Sequence, residues 1–536
     1  MSPGPAPASS SRRRKKGTGA EKARWMTSRR RSSCSARRWS GGMVCASGSQ
    51  KRCAGSRGAG SSMLMTALRG CILRQSGGDR QQRPMPLSPL CLTHPQCKAR
   101  LPMPVGLSPA RGSSMKYEIV SADAHVLEPP HIWTQWLAKK YQERAPKLVK
   151  DADGGDAWAF AGAADPDPIG LTATPGLPWD KFRWTGVHYE DARPGCYNGA
   201  ERLRDMDVDG VDAEVIFAPQ RTIGHFLGDE DDDFVRAGVE AYNSFLREEF
   251  CAPDPSRLIG AAWMPSTGID DAIRFLRRAK EQGFQTVAIS NWPSGGDSLS
   301  EADDPFWAAV SEVRLPVCIH ITIISRRQRQ LQRQAAMAAA SRGDRGIYGG
   351  TAAKANAKAV AGLGSVFSTV PNTVGQMIFT GVFERFPDIH IAIIESGVGW
   401  IPHFLEQIDD RYWRNRSWGN IPITEPPSFY WYRNMSATFI TDPNGIRNRQ
   451  SVGVANMLWS TDYPHHGNDW PYSRKTINDM MIGVRADERE LIVAGNARRI
   501  YRLEDGPQLT AASRNGQRAG AAATKTERKV AAATTA

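Results

Sequence analysis

Short apolar runs recur along the middle of the chain and alternate with stretches of helical periodicity. Eight of these runs are nearly continuous and rich in β-branched residues, which is typical of parallel strands buried on both faces. We predict the strands at Glu118–Ala124, Ala213–Ala218, Leu258–Met264, Thr286–Ser290, Val313–Ile319, Ile389–Ile394, Met435–Ile440 and Met457–Thr461. Eight strands separated by helices predict an α/β fold, a TIM-like (β/α)8 barrel around a closed parallel sheet.

Helical periodicity predicts the outer layer of this barrel. Candidate helices lie at Asp231–Phe250, Ile269–Gln282, Asp304–Val313 and Trp400–Asp410. Gly283 follows the second of them, at the position where a glycine commonly ends a helix. A doubly wound open sheet is the alternative architecture, but no glycine-rich phosphate loop follows any predicted strand.

Two long insertions interrupt the alternation of strands and helices. Residues 140–200 are rich in Gly, Pro and Trp, and we expect them to form a lid-like excursion over the barrel mouth. Residues 324–362 begin with a cluster of arginines and continue into an alanine-rich run. The cluster either faces an acidic substrate or forms a solvated helix face; it comprises Arg326, Arg327, Arg329 and Arg333.

The formal net charge of +14 over 536 residues is unevenly distributed. Residues 1–114 carry a net charge of +20, whereas residues 115–536 carry −6. The basic leader is dominated by Ser, Gly, Arg and Pro, a composition that predicts disorder. Its role is open: an organelle transit peptide, a nucleic-acid-binding arm, or an over-extended reading frame ahead of a true start at Met115.

These patterns divide the chain into three parts. We predict a disordered basic leader at 1–114, a barrel domain at 115–505 and a disordered tail at 506–536. Of the nine cysteines, only Cys196, Cys251 and Cys318 lie in the barrel domain, and their wide spacing indicates reduced thiols rather than a disulfide framework. No stretch is long and apolar enough to span a membrane. We therefore expect a soluble cytoplasmic protein.

Residues that can bind a metal follow three of the predicted strands. Asp123 and His125 close the first strand, His320 closes the fifth and Asp462 closes the eighth. The carboxyl ends of the strands form the active-site face of a TIM barrel, so these side chains are expected to converge. Two imidazoles and two carboxylates suit a single divalent ion, Zn or Mn. The sequence therefore predicts a metalloenzyme.

Five motifs give the chain a family resemblance between about Lys116 and Leu503. They are Ser121–Pro130, Leu315–Pro316–Val317 before His320, Phe386–Pro387–Asp388 before Glu395–Trp400, Thr461–His465, and Gly495–Asn496–Ala497. Together they resemble the amidohydrolase-related metal-dependent enzymes of the aminocarboxymuconate-semialdehyde decarboxylase type. The resemblance implies a TIM-like barrel with one divalent metal, in a family of decarboxylases, hydratases and hydrolases.

The resemblance also implies roles for individual residues. Asp123, His125, His320 and Asp462 would be the metal ligands, and Asp462 would also transfer protons. Many relatives have His where this chain has Asp123, a change that adds negative charge and favours Mn or Mg over Zn. Decarboxylase members have His where this chain has Glu395, which is expected to be a pocket residue.

Two further assignments complete the predicted site. His465 is a candidate catalytic residue beside Asp462, and Glu128 is a candidate for orienting His125. The fourth strand ends in Ser290–Asn291 and offers no lysine for a carbamate bridge, so one ion is favoured over two.

Three functions remain open from the sequence. In the first, the chain is a carboxy-lyase that decarboxylates an aromatic or unsaturated carboxylic acid. In the second, it is a hydrolase in which a metal-activated water attacks a carbonyl or related bond. In the third, the chain is a non-enzymatic protein that binds nucleic acid through its basic leader. We favour the first, with a small carboxylic acid as partner, no membrane or nucleic-acid partner, and a homodimer as a possible assembly.

Overall fold

Eight parallel strands form the central sheet of the protein. The computed structural model describes residues 117–343 and 366–503. The predicted leader and tail, and the alanine-rich end of the second insertion, lie outside the described residues. The strands of the barrel are β1 (Val120–His125), β5 (Ala213–Phe217), β6 (Leu258–Trp263), β7 (Thr286–Ile289), β8 (Val317–His320), β9 (Ile391–Ile394), β10 (Met435–Phe439) and β11 (Met457–Trp459).

The sheet follows chain order and curves into a barrel. Its strand order is β1-β5-β6-β7-β8-β9-β10-β11, with parallel pairing between the neighbours for which the register is defined. On the closing side, the amide of Asp462 donates to the carbonyl of Asp123 at 2.9 Å, and the amide of His125 donates to the carbonyl of Tyr463 at 2.6 Å. The predicted TIM-like barrel is confirmed.

The strands of the barrel are buried on both faces. Every residue of β1, β5, β7, β8, β9, β10 and β11 is buried. All eight predicted strands are present, but the fifth begins at Val317 rather than at Val313. Val313 ends the preceding helix, and Arg314 then adopts a left-handed φ of 56° that prevents the helix from continuing.

Helices cover the outside of the barrel. The α-helices are Ile132–Trp136, Gly170–Ala173, Gly199–Asp209, Gln220–Leu227, Asp232–Phe245, Ile269–Glu281, Asp304–Val313, Arg326–Ser341, Val370–Phe379, Val382–Arg385, Ile401–Asn415, Pro427–Asn434, Pro443–Arg447, Arg449–Val452, Ser473–Met480, Ala486–Glu490 and Asn496–Tyr501. The π-helical turns are Leu246–Phe250 and Leu491–Gly495. No helix within the described ranges combines the length and the apolar character that crossing a bilayer requires.

The helix at Ile269–Glu281 illustrates how the sequence sets this outer layer. Ala272, Phe275, Leu276 and Ala279 are buried and recur at the spacing of one helix face. Acidic residues occupy the first turn and basic residues the last, which complements the helix dipole. Gly283, with a left-handed φ of 86°, follows the end of the helix as predicted.

The first insertion forms a small sheet of its own. The antiparallel strands β2 (Lys147–Lys150), β3 (Asp156–Ala159) and β4 (Asp167–Pro168) pair in that order. The insertion reaches the barrel mouth, because the amide of His466 donates to the carbonyl of Leu171 at 3.1 Å. The Phe182 ring also stacks on His466, with ring centroids 4.3 Å apart. The structure thus places the insertion as the lid-like excursion that the sequence predicts.

Candidate metal centre

The carboxyl ends of β1, β8 and β11 bring the four predicted metal ligands together. Asp123 and His125 lie on the same face of β1, because side chains two residues apart in a strand point the same way. His320 ends β8, and Asp462 lies three residues past β11. Their exposed fractions are all 3% or less. Strands distant in sequence therefore supply one enclosed polar cluster.

The separations between the ligand atoms match the coordination shell of a small divalent ion. His125 Nε2 lies 3.1 Å from His320 Nε2, 3.3 Å from Asp462 Oδ1 and 3.6 Å from Asp123 Oδ1. His320 Nε2 lies 3.5 Å from Asp123 Oδ1. Ligands held at zinc-like bond lengths around a tetrahedral ion are about 3.4 Å apart. A single ion fits among Asp123, His125 and His320, and a second group of ligand atoms within 4.8 Å of one another joins His125 with Glu395, Asp462 and His465.

Unsatisfied buried oxygens provide an independent test of that fit. Both carboxylate oxygens of Asp123 and Oδ1 of Asp462 are buried without a hydrogen-bond partner among the described residues. Leaving carboxylate oxygens in this condition costs a large desolvation free energy unless a cation compensates. The donor set and its missing partners both fit a divalent ion, and the assignment of these four residues as its ligands stays a prediction.

The tautomer of His125 is set by the chain segment after β5. Its Nδ1 lies 3.3 Å from the carbonyl oxygen of Ala218 and donates to it, which leaves the Nε2 lone pair directed at the cluster. The predicted orienting role of Glu128 is therefore wrong, because a backbone carbonyl occupies that position. Burial lowers the pKa of His125 against the opposing effect of Asp123, and this favours the neutral ring that binds metals.

Glu395 and His465 lie beside the four ligands, as predicted. Glu395 Oε2 is 3.7 Å from His320 Nδ1, and its side chain is 24% exposed. The His465 ring stacks on His125 at a centroid distance of 4.2 Å, and its Nδ1 lies 3.5 Å from Asp462 Oδ2. One metal-ligating atom from each of His125, Glu395, Asp462 and His465 falls within a 4.8 Å cluster. The structure thus brings all six predicted site residues together.

Burial and like charges perturb the ionisation of this cluster. Burial, and secondly Asp123, raise the pKa of Asp462 well above its usual value. Burial, and secondly Asp462, do the same for Glu395. Burial, followed by His125 and His320, lowers the pKa of His465 well below the usual value. A bound divalent cation would oppose the rise in the pKa of Asp462, because its charge favours ionised carboxylate ligands.

Strained backbone at the strand ends aims these side chains. Ile321, Glu395 and Asp462 have φ values of 58°, 56° and 58°, in the left-handed region that residues other than glycine rarely adopt. Hydrogen bonds hold two of the turns: Glu395 N donates to Thr438 Oγ1 at 2.7 Å, and Ile321 N donates to the carbonyl of Ile394 at 2.9 Å. Non-glycine strain of this kind is concentrated at functional sites.

Two supporting residues carry no clear signal in the sequence. Phe217 ends β5, and its ring centroid lies 5.4 Å from that of His320 and 6.4 Å from that of His125. Arg202 is fully buried and donates to the carbonyl of His125 at 2.6 Å and to Glu214 Oε2 at 2.8 Å. Both contacts join segments that lie far apart in the sequence, so a local pattern could not identify them.

Comparison with known proteins places the chain in a family. A family model described as Amidohydrolase matches residues 122–503, which is more than half of the chain. The chain belongs to the amidohydrolase family. The resemblance noted from the sequence motifs is therefore confirmed. A search of curated proteins finds no match to this chain.

Several solved structures are similar to this chain at low sequence identity. An amidohydrolase from Mycobacterium avium subsp. paratuberculosis K-10 is 18% identical, with a TM-score of 0.54 over 72% of this chain and 98% of its own. The 5-carboxyvanillate decarboxylase LigW from Sphingomonas paucimobilis is 19% identical, with a TM-score of 0.47 over 72% and 99%. A dihydroxybenzoic acid decarboxylase from Polaromonas sp. JS666, solved with bound manganese and an inhibitor, is 16% identical, with a TM-score of 0.47 over 72% and 98%.

Proposed function

We propose that the chain is a metal-dependent carboxy-lyase that removes CO2 from an aromatic or unsaturated carboxylic acid. The observation that carries the proposal is a pair of enclosed ligand groups that share His125: Asp123, His125 and His320 form one, and His125, Glu395, Asp462 and His465 form the other. Decarboxylation consumes no water, so it suits ligands that are buried from solvent. The motif resemblance to the aminocarboxymuconate-semialdehyde decarboxylase type points the same way.

A divalent ion bound at these atoms, Mn or Zn, would supply positive charge that holds the substrate carboxylate and stabilises negative charge developing in the reaction. The protein's own residues would donate the proton that replaces the lost CO2. In this proposal Asp462 delivers a proton to the carbon that loses CO2. His465 Nδ1, 3.5 Å from Asp462 Oδ2, is placed to return a proton to Asp462. Phe217, beside both histidine ligands, offers an apolar wall for a flat substrate.

Hydrolysis is the second candidate. It is favoured by the same pair of residues, because Asp462 and His465 could remove a proton from an attacking water, while a divalent ion held by the ligands would supply Lewis acidity. The two reactions differ in what they take from solvent. Decarboxylation places one solvent hydrogen on the product carbon, whereas hydrolysis places one solvent oxygen in the product.

Isotope incorporation therefore separates the two candidates. The manganese-loaded chain is incubated with a panel of aromatic carboxylic acids and their esters and amides, once in D2O and once in H2(18)O, and the products are analysed by mass spectrometry together with released CO2. We expect CO2 and one carbon-bound deuterium, without 18O in the product. Product that contains 18O, with no CO2, would establish hydrolysis instead.

Two variants connect the activity with the cluster. Asp462→Asn and His125→Ala are expected to abolish turnover. Asp410→Asn is the matched control, because Asp410 pairs with Arg414 on the surface and its side chain is 43% exposed. Full activity in metal-free wild-type protein would contradict both candidate reactions.

A further inference from the structure

Three charged side chains lie on the buried face of the helix Gly199–Asp209. They are Arg202, Asp205 and Asp209, and their spacing of three and four residues places them on one side of the helix. Burying a charge is costly, and even a well-paired buried ion pair often stabilises a fold no more than apolar side chains of the same volume would. Stability alone therefore does not explain the charges on this face.

Arg202 joins several segments of the chain. Its Nη2 donates to the carbonyl oxygen of His125 at 2.6 Å, its Nη1 to Glu214 Oε2 at 2.8 Å, and its Nε to the carbonyl oxygen of Gly195 at 2.8 Å. Its guanidinium carbon also lies 4.3 Å from the centroid of the Tyr463 ring, within the range of a cation–π interaction. One guanidinium group thus contacts both the end of β1 and the segment that follows β11.

Asp205, one turn further along the helix, holds the other end of Tyr463. The Tyr463 hydroxyl donates to Asp205 Oδ2 at 2.6 Å, and Arg193 Nη2 donates to Asp205 Oδ1 at 2.5 Å. Trp470 Nε1 donates to the backbone carbonyl of Asp205 at 3.0 Å. The Tyr463 side chain is therefore fixed at its face by Arg202 and at its hydroxyl by Asp205.

These contacts converge on the junction between β1 and the segment after β11, where the barrel closes. Tyr463 directly follows Asp462, and its carbonyl accepts the 2.6 Å hydrogen bond from the amide of His125. The predicted ligands His125 and Asp462 thus lie on opposite sides of this junction, with Nε2 and Oδ1 3.3 Å apart. Asp462 has a left-handed φ of 58°, a backbone conformation that persists only where the surroundings hold it.

The helix is packed closely enough to hold both contacts in place. A Cβ built at Gly199 would lie 1.8 Å from the carbonyl oxygen of Phe250, so only glycine allows the helix to approach this segment. The ring of Phe250 lies 5.3 Å from the guanidinium carbon of Arg202, on which Tyr463 also packs. The position of Arg202 is therefore restricted by rings as well as by hydrogen bonds.

We propose that Arg202 and Asp205 are positioning residues of the metal centre, which set the separation between His125 and Asp462 across the β1–β11 junction. Both act through other residues, Arg202 through the backbone of His125 and Asp205 through Tyr463. The inference rests on the proposed function, because it assumes that a divalent ion binds between these ligands. It goes beyond that function by making the metal affinity depend on a helix that contributes no ligand.

A double substitution tests this role without leaving a buried charge unpaired. Arg202→Met/Glu214→Leu removes both members of the buried ion pair, a change that is often neutral or stabilising for a fold. We expect the metal-free double variant of the full chain to melt no lower than wild type. It should nevertheless bind manganese about 10- to 100-fold more weakly, the range typical of substitutions behind metal ligands. The EPR signal of free manganese, recorded where both proteins are folded, measures the dissociation constant.

The matched control removes an ion pair from the outer helix layer. Arg385 donates to both carboxylate oxygens of Asp304, at 2.7 and 2.8 Å. Arg385→Met/Asp304→Leu should keep the wild-type dissociation constant for manganese, because this pair joins two outer helices. A purely structural role for Arg202 would leave the affinity of the folded double variant equal to that of the control.

Tyr463→Phe tests the second half of the proposal and remains decisive where the Arg202 double variant does not fold. It keeps the ring that packs on Arg202 and removes only the hydroxyl that donates to Asp205. Because one hydrogen bond of net strength about 1 kcal/mol is lost, manganese should bind roughly fivefold more weakly. A wild-type affinity in Tyr463→Phe would overturn the role of Asp205.

The outcomes separate this inference from the proposed function. An unchanged manganese affinity in the folded Arg202 double variant, or an equal loss in the control, overturns the inference even where CO2 release is observed. A loss confined to the Arg202 and Tyr463 variants, without CO2 release from any acid, supports the inference and contradicts the carboxy-lyase. Wild-type protein that binds no manganese overturns both.

Discussion

At the scale of single residues, the metal centre is a group of charges that the fold cannot satisfy alone. Asp123 is the clearest example, because it is fully buried and neither of its carboxylate oxygens has a hydrogen bond among the described residues. Such a residue lowers the stability of the metal-free protein and raises the affinity for a cation. Function and stability are therefore opposed at this position, and one substitution can separate them.

Asp123→Asn should change stability in opposite directions with and without metal. In metal-free protein the variant removes a buried charge, so the free energy of unfolding should rise by roughly 1–3 kcal/mol. In excess manganese the variant should be less stable than wild type, because it has lost a ligand. Thermal melts with EDTA and with manganese measure both effects. Asp410→Asn, on the surface, should change neither, and a variant that is destabilised in EDTA would contradict the account.

Glu128 predicts a pH dependence of stability. It is 3% exposed, and burial raises its pKa from 4.5 to about 7. A carboxyl group with a raised pKa in the folded state stabilises the fold fully below pH 4.5, and that contribution is lost as the pH rises to about 7. The loss amounts to about 3 kcal/mol.

Glu128→Gln should remove this dependence. Denaturant unfolding at pH 4.5 and pH 7.5 measures how much the free energy of unfolding of the wild type and of the variant changes over this interval. We expect the variant to gain about 3 kcal/mol relative to wild type over this interval. Glu118→Gln is the control, because the Glu118 side chain is 70% exposed. Parallel pH profiles for wild type and Glu128→Gln would rule out a buried, titrating Glu128.

The sequence predicted the identity of the site residues better than their geometry. Asp123, His125, His320 and Asp462 could be identified because each follows an apolar strand, and the barrel topology brings strand ends together. The left-handed φ of Glu395 could not be foreseen, since nothing about a glutamate favours that region. Ala218 also escaped prediction as the partner of His125, because it contributes only a backbone carbonyl.

At the scale of elements, the lid is attached to the barrel through a small number of polar and aromatic contacts. Asp167 on β4 accepts from His225 on the helix after β5, with Oδ2 and Nε2 3.1 Å apart. Phe160 stacks on the same imidazole, with centroids 4.0 Å apart. Although burial opposes the shift, the hydrogen bond from His225 lowers the pKa of Asp167. This hydrogen bond therefore contributes to docking of the lid.

Asp167→Asn should loosen the lid without unfolding the barrel. A partly buried hydrogen bond to a carboxylate contributes about 1 kcal/mol, so amide hydrogen exchange in β3 and β4 should accelerate roughly fivefold. Exchange in the barrel strand β8 should not change. Asp180→Asn lies in the same insertion with its side chain 74% exposed, and it should leave all rates as in wild type. Equal rates in Asp167→Asn and wild type would mean that this pair does not hold the lid.

Element boundaries show where local patterns stop being informative. The sequence predicts one strand over Val313–Ile319. In the structure, Val313 ends a helix, Arg314 has a left-handed φ, and the strand begins only at Val317. The lid's three-stranded sheet was not predicted at all, because its strands are two to four residues long and Gly-rich loops separate them. Tertiary contacts with the barrel, rather than local propensity, support such short strands.

At the scale of the whole molecule, metal binding and folding are linked. The ligand atoms come from β1, β8 and the segment after β11, so the site exists only when the barrel is closed. An ion that binds the folded chain and not the unfolded chain adds a stabilisation that grows with the logarithm of its free concentration.

The dependence of the free energy of unfolding on free manganese concentration reports how many ions bind to each chain. For one ion per chain, the free energy of unfolding should rise by about 1.4 kcal/mol for each tenfold increase in free manganese above the dissociation constant, and by about twice that for two ions. Denaturant titrations at buffered manganese concentrations measure the slope. We expect the value for one ion in wild type and a slope near zero in His125→Ala, which removes the ligand shared by both candidate clusters. A wild-type slope near 2.8 kcal/mol per decade would instead require a second ion, for which Glu395 and His465 are the available ligands.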